Sequence, residues 1–377
     1  MENNLTPFPS TGYVSKEYFC DREKELGILT KNLNAKRNIT LISNRRLGKS
    51  ALIHRLFDEI ENTNTHCIYI DIFSATSLSD ITNALATAIY IKYPSKKSIG
   101  KLFWDYIKNL RPVISYDVLT NKPELRFEFV RAKDYENTLS GLLKFLDSQN
   151  KKIILAIDEF QQIANCEEAN IEAILRTMVQ ALKNINFIFC GSKKHLMLEI
   201  FNSAKRPFFA STLIMGITEI DREVYKPFII KQFRNHKRTI DEESLDFILD
   251  WTLVHTYYTQ VICRAIFSEN IKRIAIDIVK KVCGEQLEIL HTNFLQYRNL
   301  LPQKQWQVLV AMAKEEFVFE PNSQYFLNKY KLGAAATVKK SLQALIEKEL
   351  ICTIESKNKI AYRVYDVFLL RWIQSNF

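Results

Sequence analysis

The stretch that most constrains this chain is residues 38–57, NITLISNRRLGKSALIHRLF. Its pattern predicts a buried strand at residues 39–42, a tight loop at 43–47, and an amphipathic helix that opens at Gly48 with its apolar residues at helical spacing. A strand, a tight loop and a helix in immediate succession define one local unit. The chain is therefore expected to build an α/β domain around this unit.

The loop almost completes the phosphate-binding pattern G-x-x-x-x-G-K-[ST], with Ser43 at the first glycine position. In this pattern backbone N–H groups hold phosphate, the lysine reaches the β- and γ-phosphates, and the hydroxyl coordinates Mg²⁺. A chance G-K-S in an ordinary loop is the alternative, but the flanking strand and helix favour ATP and Mg²⁺. The predicted nucleotide-binding residues are Asn44, Arg45, Arg46, Leu47, Gly48, Lys49, Ser50 and Ala51.

A second stretch, residues 151–163 (KKIILAIDEFQQI), is an apolar strand that ends in Asp158 and Glu159. In a parallel sheet, the carboxyl end of such a strand delivers its acids to the crevice where ligands bind. We predict that Asp158 holds Mg²⁺ opposite Ser50, and that Glu159 orients or deprotonates the attacking water. A solvated acidic turn is the alternative, which the order of the two motifs makes the weaker interpretation.

Further candidates follow along the first 218 residues. Residues 184–192 (NINFIFCGS) predict a strand whose end places Ser192 where a hydroxyl could sense the γ-phosphate, and a last strand at 212–217 closes the domain. Arg206 is a candidate for an arginine finger acting in trans, with a surface salt bridge as the alternative. Residues 95–134 predict an insertion with a hairpin, to which the sequence assigns no role.

The C-terminal part has a different pattern. After residue 220 strands are expected to give way to helices, which predicts a helical lid at 219–298; residues 299–377 then predict three helices and a β-hairpin, the composition of a winged helix. The predicted winged helix is compatible with contact to DNA and also with docking to protein. The residues expected to contact DNA are Thr337, Lys339, Lys340, Lys357 and Lys359, with Ser341 and Gln343 on the same outward face.

Length and composition set the outer bounds. With 377 residues, 47% hydrophobic and 25% charged, the chain is expected to form two or three domains of ordinary soluble character. The N-terminal residues lack a signal-peptide pattern and no apolar run suggests a membrane span, so we expect a cytoplasmic protein. Seven scattered cysteines indicate neither a disulfide framework nor a zinc site. The net charge of +10 suits a polyanionic partner if it gathers on one face.

Several motifs together make the chain resemble the archaeal-type ATPase family. This branch of P-loop ATPases stands close to the STAND signalling ATPases and to the origin-recognition AAA+ proteins. The motifs are FCDREKEL, SNRRLGKS, ILAIDEFQ, FIFCGS, HTYYTQ, and the C-terminal GAAATVKKSLQALIEKELI and YRVYDVFLLRW. The resemblance implies an AAA+-like parallel sheet with helices on both faces, followed by a lid and a winged helix that is typical of bacterial members.

The resemblance also implies roles for single residues. The backbone around Cys20 and Arg22 would lie by the adenine, Lys49 would bind phosphate, Ser50 and Asp158 would bind Mg²⁺, Glu159 would be the catalytic acidic residue and Ser192 the sensor. Four positions depart from the related patterns. Asp21 and Ser43 replace glycines, Thr256 stands where related proteins often have proline, and Lys193 stands where STAND proteins carry arginine. We expect the loop geometry to differ at Asp21 and Ser43, because glycine accepts a positive φ more freely.

Three functions are compatible with these features. The first is a slow Mg²⁺-dependent NTPase of the AAA+/STAND type, in which the nucleotide state switches the arrangement of core, lid and winged helix. The second is a DNA-binding regulator in which nucleotide is mainly structural. The third is a protein-interaction scaffold that acts with a partner or as a homo-oligomer.

Overall fold

The computed structural model describes residues 6–94, 98–116, 121–168, 170–356 and 359–377. They form two compact units, one of which is Thr11–Glu219, while the other combines residues 6–10 with Ile220–Phe377. The elements of the first unit are α1 (Glu23–Asn34), β1 (Ile39–Ile42), α2 (Lys49–Ile60), β2 (Thr65–Asp71), α3 (Leu78–Lys92), α4 (Ser98–Ile107), β3 (Val113–Tyr116), β4 (Pro123–Arg126), α5 (Ala132–Asp147), β5 (Lys152–Asp158), α6 (Ile171–Ala181), β6 (Ile185–Gly191), α7 (Lys194–Asn202) and β7 (Leu213–Gly216).

A five-stranded parallel sheet organises the first unit, in the order β2-β5-β6-β1-β7. The three inner strands are apolar almost throughout, as both faces of a parallel sheet are covered. Alternate residues of these strands enter two separate cores: Leu155 lies in a core with α3, α5, α6 and α7, and Ala156 lies in a core with α1 and α2. Helices therefore flank both faces, which confirms the predicted fold class.

The predicted insertion contains α4 and an antiparallel hairpin of β3 and β4. The described strand residues are Val113–Tyr116 and Pro123–Arg126, and residues 95–97 and 117–120 lie outside the described part of the chain. The side chain of Thr87 on α3 donates to the carbonyl of Leu125 and accepts from its N–H, so the hairpin is held against the domain.

The second unit is mainly helical. Its elements are α8 (Arg222–Asn235), β8 (Thr239–Ile240), α9 (Glu242–Trp251), α10 (Thr256–Ser268), β9 (Arg273–Ile274), α11 (Ile276–Leu300), α12 (Gln303–Glu315), α13 (Gln324–Lys329), α14 (Ala335–Glu347), β10 (Ile351–Ser356), β11 (Lys359–Val364) and α15 (Val367–Asn376). Among the described residues, no helix combines the length and apolar character that crossing a bilayer requires.

The expectation that strands disappear after residue 220 is wrong at one place, because β8 and β9 form a two-residue parallel ladder. A pair this short has no periodicity that a sequence pattern can reveal, and it forms where the segments before α9 and α11 meet. The predicted boundary between residues 298 and 299 falls within the last turn of α11. The division of this unit into lid and winged helix stays a prediction.

The winged-helix region has the expected composition: α12, α13 and α14 precede the β10–β11 hairpin, and a bridge from Val318 to Tyr362 extends the wing. The prediction that Ser341 points outward is wrong, since Ser341 is buried. Together with Val338, Leu342 and Leu345 it forms the i, i+3, i+4, i+7 stripe that an amphipathic helix turns to its core.

The segment before the first unit packs into the second unit. Phe8 is fully buried, and its ring centroid lies 4.7 Å from that of Phe233 on α8. Arg264 donates to the hydroxyl of Ser10 at 3.3 Å. Residues 6–10 therefore belong to the unit to which the chain returns after residue 219.

Candidate active site

Three neighbouring strands bring the predicted site residues together. In the order β5-β6-β1, the loop after β1, the acids that end β5 and the serine after β6 all lie at the carboxyl edge of the sheet. Lys49, Ser50, Asp158, Glu159 and Ser192 are joined by direct polar contacts there. The topology thus converts three separate sequence motifs into one site.

The loop after β1 has the backbone of a phosphate cradle. Arg46 and Gly48 adopt positive φ values of 64° and 90°, and Gly48 caps α2. Left-handed residues within such a loop help to turn successive N–H groups toward a common anion, and the helix N-terminus adds its dipole. Ser43 keeps a negative φ, so no left-handed strain arises where the related pattern has glycine.

The segment before α1 does require left-handed backbone, with φ values of 59° at Asp21 and 79° at Arg22. The side chain of Arg22 is buried and donates to the carbonyl oxygens of Thr218 at 2.6 Å and Leu47 at 3.5 Å. Cys20 is also buried, and this burial raises the pKa of its thiol to about 12. Arg22 therefore links this segment to the phosphate loop and to the end of β7, while a role beside adenine stays a prediction.

Asp158 is the most densely bonded group of the site. Its Oδ2 accepts from the hydroxyl of Ser50 at 2.5 Å and from that of Tyr69 at 2.7 Å, and its Oδ1 lies 2.9 Å from the ammonium of Lys49. Burial alone would raise the pKa of this carboxyl, but Lys49 and the hydroxyl donors outweigh it and lower the pKa below its ordinary value. Asp158 is therefore held as a carboxylate.

Lys49 is buried between the two acids, 2.9 Å from Oδ1 of Asp158 and 3.5 Å from Oε1 of Glu159. Burial opposes the charged form, but the Asp158 carboxylate leads the effects that raise the pKa of the lysine above its ordinary value. The ammonium is therefore a fixed positive charge at the mouth of the loop.

Glu159 is oriented through both of its carboxylate oxygens. Its Oε2 accepts from the hydroxyl of Ser192 at 2.9 Å and from the amide of Gln161, while Oε1 faces Lys49. The backbone of Glu159 is left-handed, with a φ of 55°. Neither Gln161 nor Tyr69 was among the predicted site residues. Gln161 lies within the DEFQ motif, but Tyr69 has no local signal and is revealed only by the pairing of β2 with β5.

The oxygen atoms of Asp158 and Ser50 are suitable ligands for Mg²⁺. A carboxylate and the Ser50 hydroxyl, 2.5 Å apart, are the hard oxygen ligands that Mg²⁺ prefers. Within the described ranges, no group of three or more His, Cys, Asp or Glu side chains could hold a metal ion. A site with few protein ligands is typical of Mg²⁺ that is shared with substrate phosphates.

The remaining candidates form no polar contact described for this cluster. Arg206 forms an ion pair with Glu172 at 2.5 Å, the arrangement expected of the salt-bridge alternative, so its action in trans stays a prediction. In the second unit, Thr337, Lys339 and Lys340 are exposed on α14, as is Lys359 on β11. Lys357 lies outside the described residues.

Comparison with known proteins gives two family matches. Residues 19–257 match the model described as an ATPase domain predominantly from Archaea, and residues 292–375 match a probable winged helix domain. No curated protein sequence matches the chain.

Solved structures share the whole fold. The Walker-type ATPase Paby2304 of Pyrococcus abyssi aligns with a TM-score of 0.66 at 17% identity, over 98% of this chain and 99% of that one. The ORC2 protein of Aeropyrum pernix, solved as ADPNP and ADP complexes, gives 0.60 at 12% identity over 99% and 97%. The ORC1 protein of the same organism, solved with DNA, gives 0.51 at 12% identity over 95% and 93%. At these identities the likeness is one of fold.

Proposed function

The chain belongs to the archaeal-type family of ATPase domains and is an ATPase, and we propose that it is a slow, Mg²⁺-dependent enzyme of the AAA+/STAND type that acts as a nucleotide-driven switch. The observation that carries this proposal is the closed polar network of Lys49, Ser50, Asp158, Glu159 and Ser192 at the edge of the sheet. These groups match the demands of phosphoryl transfer, in which catalysis consists mainly of positioning and electrostatic stabilisation.

Each residue has a distinct task in this proposal. Lys49 exchanges its carboxylate partners for the phosphates of ATP, and the N–H groups of residues 44–51 hold the same phosphates. Ser50 and Asp158 would hold Mg²⁺, which would supply positive charge to the phosphates when bound. Glu159 accepts a proton from water at Oε1 as the water oxygen bonds to the γ-phosphorus. The bond from the γ-phosphorus to the bridging oxygen then breaks, and ADP leaves with that electron pair.

Turnover and binding of ATP test this assignment. Purified protein should hydrolyse ATP only when Mg²⁺ is added. Glu159→Gln should retain ATP affinity and lose turnover, whereas Lys49→Ala should lose affinity itself. Lys133→Ala is a matched control, because Lys133 is an exposed lysine of the same unit paired with Glu136. Wild-type protein that neither binds nor hydrolyses ATP would refute the proposal.

The hydrogen bonds of the Arg22 side chain support the proposed switch. This side chain bonds to Leu47 in the phosphate loop and to Thr218, two residues before the chain passes into the second unit. A change at the loop can therefore reach the connection between the units through one buried guanidinium. Small-angle scattering of Glu159→Gln should give different curves with ATP and with ADP, and Arg22→Met should reduce the difference. Superimposable curves in the two nucleotides would contradict the switch.

Binding to DNA is a second candidate function, favoured by the exposed Lys339, Lys340 and Thr337 on α14 and Lys359 on β11. The ORC1 protein of Aeropyrum pernix, which shares this fold, was solved in complex with DNA. Duplex DNA affinity should fall steeply with salt, and each lysine removed from the contact should lower the log–log slope by about 0.9. If Lys339→Ala and Lys340→Ala leave the affinity and the slope unchanged, the face is better assigned to a protein partner, which includes a second copy of this chain.

A further inference from the structure

We propose that Gln161 is a positioning residue of the hydrolytic step, which holds the Glu159 carboxylate so that Oε1 is the oxygen presented to water. This inference rests on the proposed function, in which Glu159 accepts the proton. The amide of Gln161 and the hydroxyl of Ser192 both donate to Oε2 of Glu159. Two donors on one oxygen fix the rotation of the carboxylate and leave Oε1 on the side of Lys49, 3.5 Å from its ammonium.

A purely structural role explains Gln161 poorly. The side chain is 1% exposed, in the 3-10 turn Phe160–Asn165, and its Oε1 is a buried acceptor that finds no donor among the described residues. A buried acceptor without a hydrogen bond destabilises the fold. Glu159, two residues before it, has a left-handed backbone. Costs of this kind accumulate where a function requires a geometry that folding alone would avoid.

The lack of a side chain at Gly191 leaves room for the amide of Gln161. A Cβ atom at Gly191 would lie 2.4 Å from Oε1 of Gln161 and 2.4 Å from Sδ of Met197, well inside contact distance. A Cβ at the end of β6 would therefore require the Gln161 amide and the Met197 side chain to shift. The opposite amide orientation would place Oε1 against a carboxylate oxygen, where two acceptors repel, so the donor orientation toward Glu159 is the stable one.

Removal of Gln161 should act on the rate rather than on binding. With Ser192 as the remaining donor on Oε2, the carboxylate can rotate away from the attacking water. A misplacement of about 1 Å can cost about 100-fold in rate. The hydrogen bond described for the Gln161 side chain goes to Glu159, and not to Lys49 or Ser50, which are the proposed phosphate and Mg²⁺ ligands. ATP affinity should therefore be preserved.

The experiment compares Gln161→Leu, Gln161→Asn and the control Gln162→Ala. Gln162 is adjacent in the same turn, but its amide donates to the carbonyl of Phe73 at 2.8 Å and not to Glu159. We expect Gln161→Leu to lower kcat by about 10- to 100-fold with KM and ATP affinity within about threefold of wild type. Gln161→Asn is one methylene shorter and should also lower kcat, while Gln162→Ala should behave as wild type.

Gly191→Ala tests the same contact, since the added Cβ would lie 2.4 Å from Oε1 of Gln161, as well as 2.4 Å from Sδ of Met197. Its kcat should fall, and the double variant with Gln161→Leu should lose less than the product of the two single losses, because both act through one contact.

The outcomes separate this inference from the function on which it rests. If Glu159→Gln is inactive but Gln161→Leu keeps kcat within threefold of wild type, the positioning role is overturned and the proposed function stands. If Gln161→Leu loses ATP affinity and thermal stability together with kcat, Gln161 is structural and the inference is overturned. If wild-type protein has no Mg²⁺-dependent turnover, the proposed function fails and the inference with it.

Discussion

Replacement of Lys49 by methionine should destabilise the first unit strongly, quite apart from its effect on nucleotide binding. The ammonium is buried, with 8% of its side chain exposed, and lies 2.9 Å from Asp158 and 3.5 Å from Glu159. Methionine fills a similar volume but removes the charge, so both acids lose their compensating cation. Breaking a buried pair by removal of one partner costs about 3–5 kcal/mol. For a unit on the order of 200 residues, each kcal/mol shifts Tm by about 2–4 °C, so we expect a loss of about 6–20 °C.

Scanning calorimetry in EDTA, without nucleotide, measures this effect directly. Two further variants make the result specific. Lys133→Met removes a lysine that lies 2.7 Å from its partner Glu136, but the Lys133 side chain is 68% exposed. An exposed pair is worth less than about 1 kcal/mol, so this variant should shift Tm by less than about 4 °C. The double variant Lys49→Met with Asp158→Asn should recover part of the lost stability, because it removes one of the uncompensated charges. A Tm for Lys49→Met within about 3 °C of wild type would refute the reasoning.

Two further predictions concern other parts of the fold. Phe8→Ala should destabilise the second unit by about 3–5 kcal/mol, since it empties a fully buried site against Phe233. Tyr325→Ala, at a 74% exposed position, should have little effect, and equal unfolding midpoints for the two variants would contradict the packing of residues 6–10. Asp80, which completes a capping box at the start of α3, keeps its pKa below the ordinary 3.8 because, although burial would raise it, the N–H and hydroxyl donors of Thr76 and Ser77 outweigh that effect. Its contribution of about 0.3–1.5 kcal/mol should therefore be present above about pH 4 and lost as the pH falls through its folded pKa. The difference in Tm between wild type and Asp80→Ala should then close in acid, and a difference that stays constant down to pH 2 would exclude this linkage.

The sequence predicted the elements at the carboxyl edge of the sheet well, because its signals are local. The strand β1 and the helix α2 start and end close to the expected residues, and the acids of β5 follow an uninterrupted apolar run. Each of these patterns spans no more than twenty residues, within the range that periodicity and turn chemistry describe. The family matches confirm the predicted fold class and the archaeal-type ATPase resemblance.

Features that depend on distant contacts were not predicted. Phe8 lies in a segment without periodic pattern, and its burial depends on α8, more than two hundred residues later. Ser341 was placed on the wrong face of α14 because its polarity suggested exposure, while its spacing from Val338, Leu342 and Leu345 places it in the core. The polar side chain of Ser341 suggested exposure, whereas its position in the helix predicted burial. The packing of α14 agrees with the helical position.

The amino-acid sequence by itself determined which groups this protein brings to the edge of its sheet: a loop with Lys49 and Ser50, and a strand that ends in Asp158 and Glu159. Only the tertiary structure decided how these groups are held. Tyr69 reaches Asp158 because β2 lies beside β5, and the Gln161 amide that donates to Glu159 lies over Gly191 at the end of β6. Strand order and close packing arise from contacts between residues far apart in the chain, so a pattern read along the chain carries no record of them.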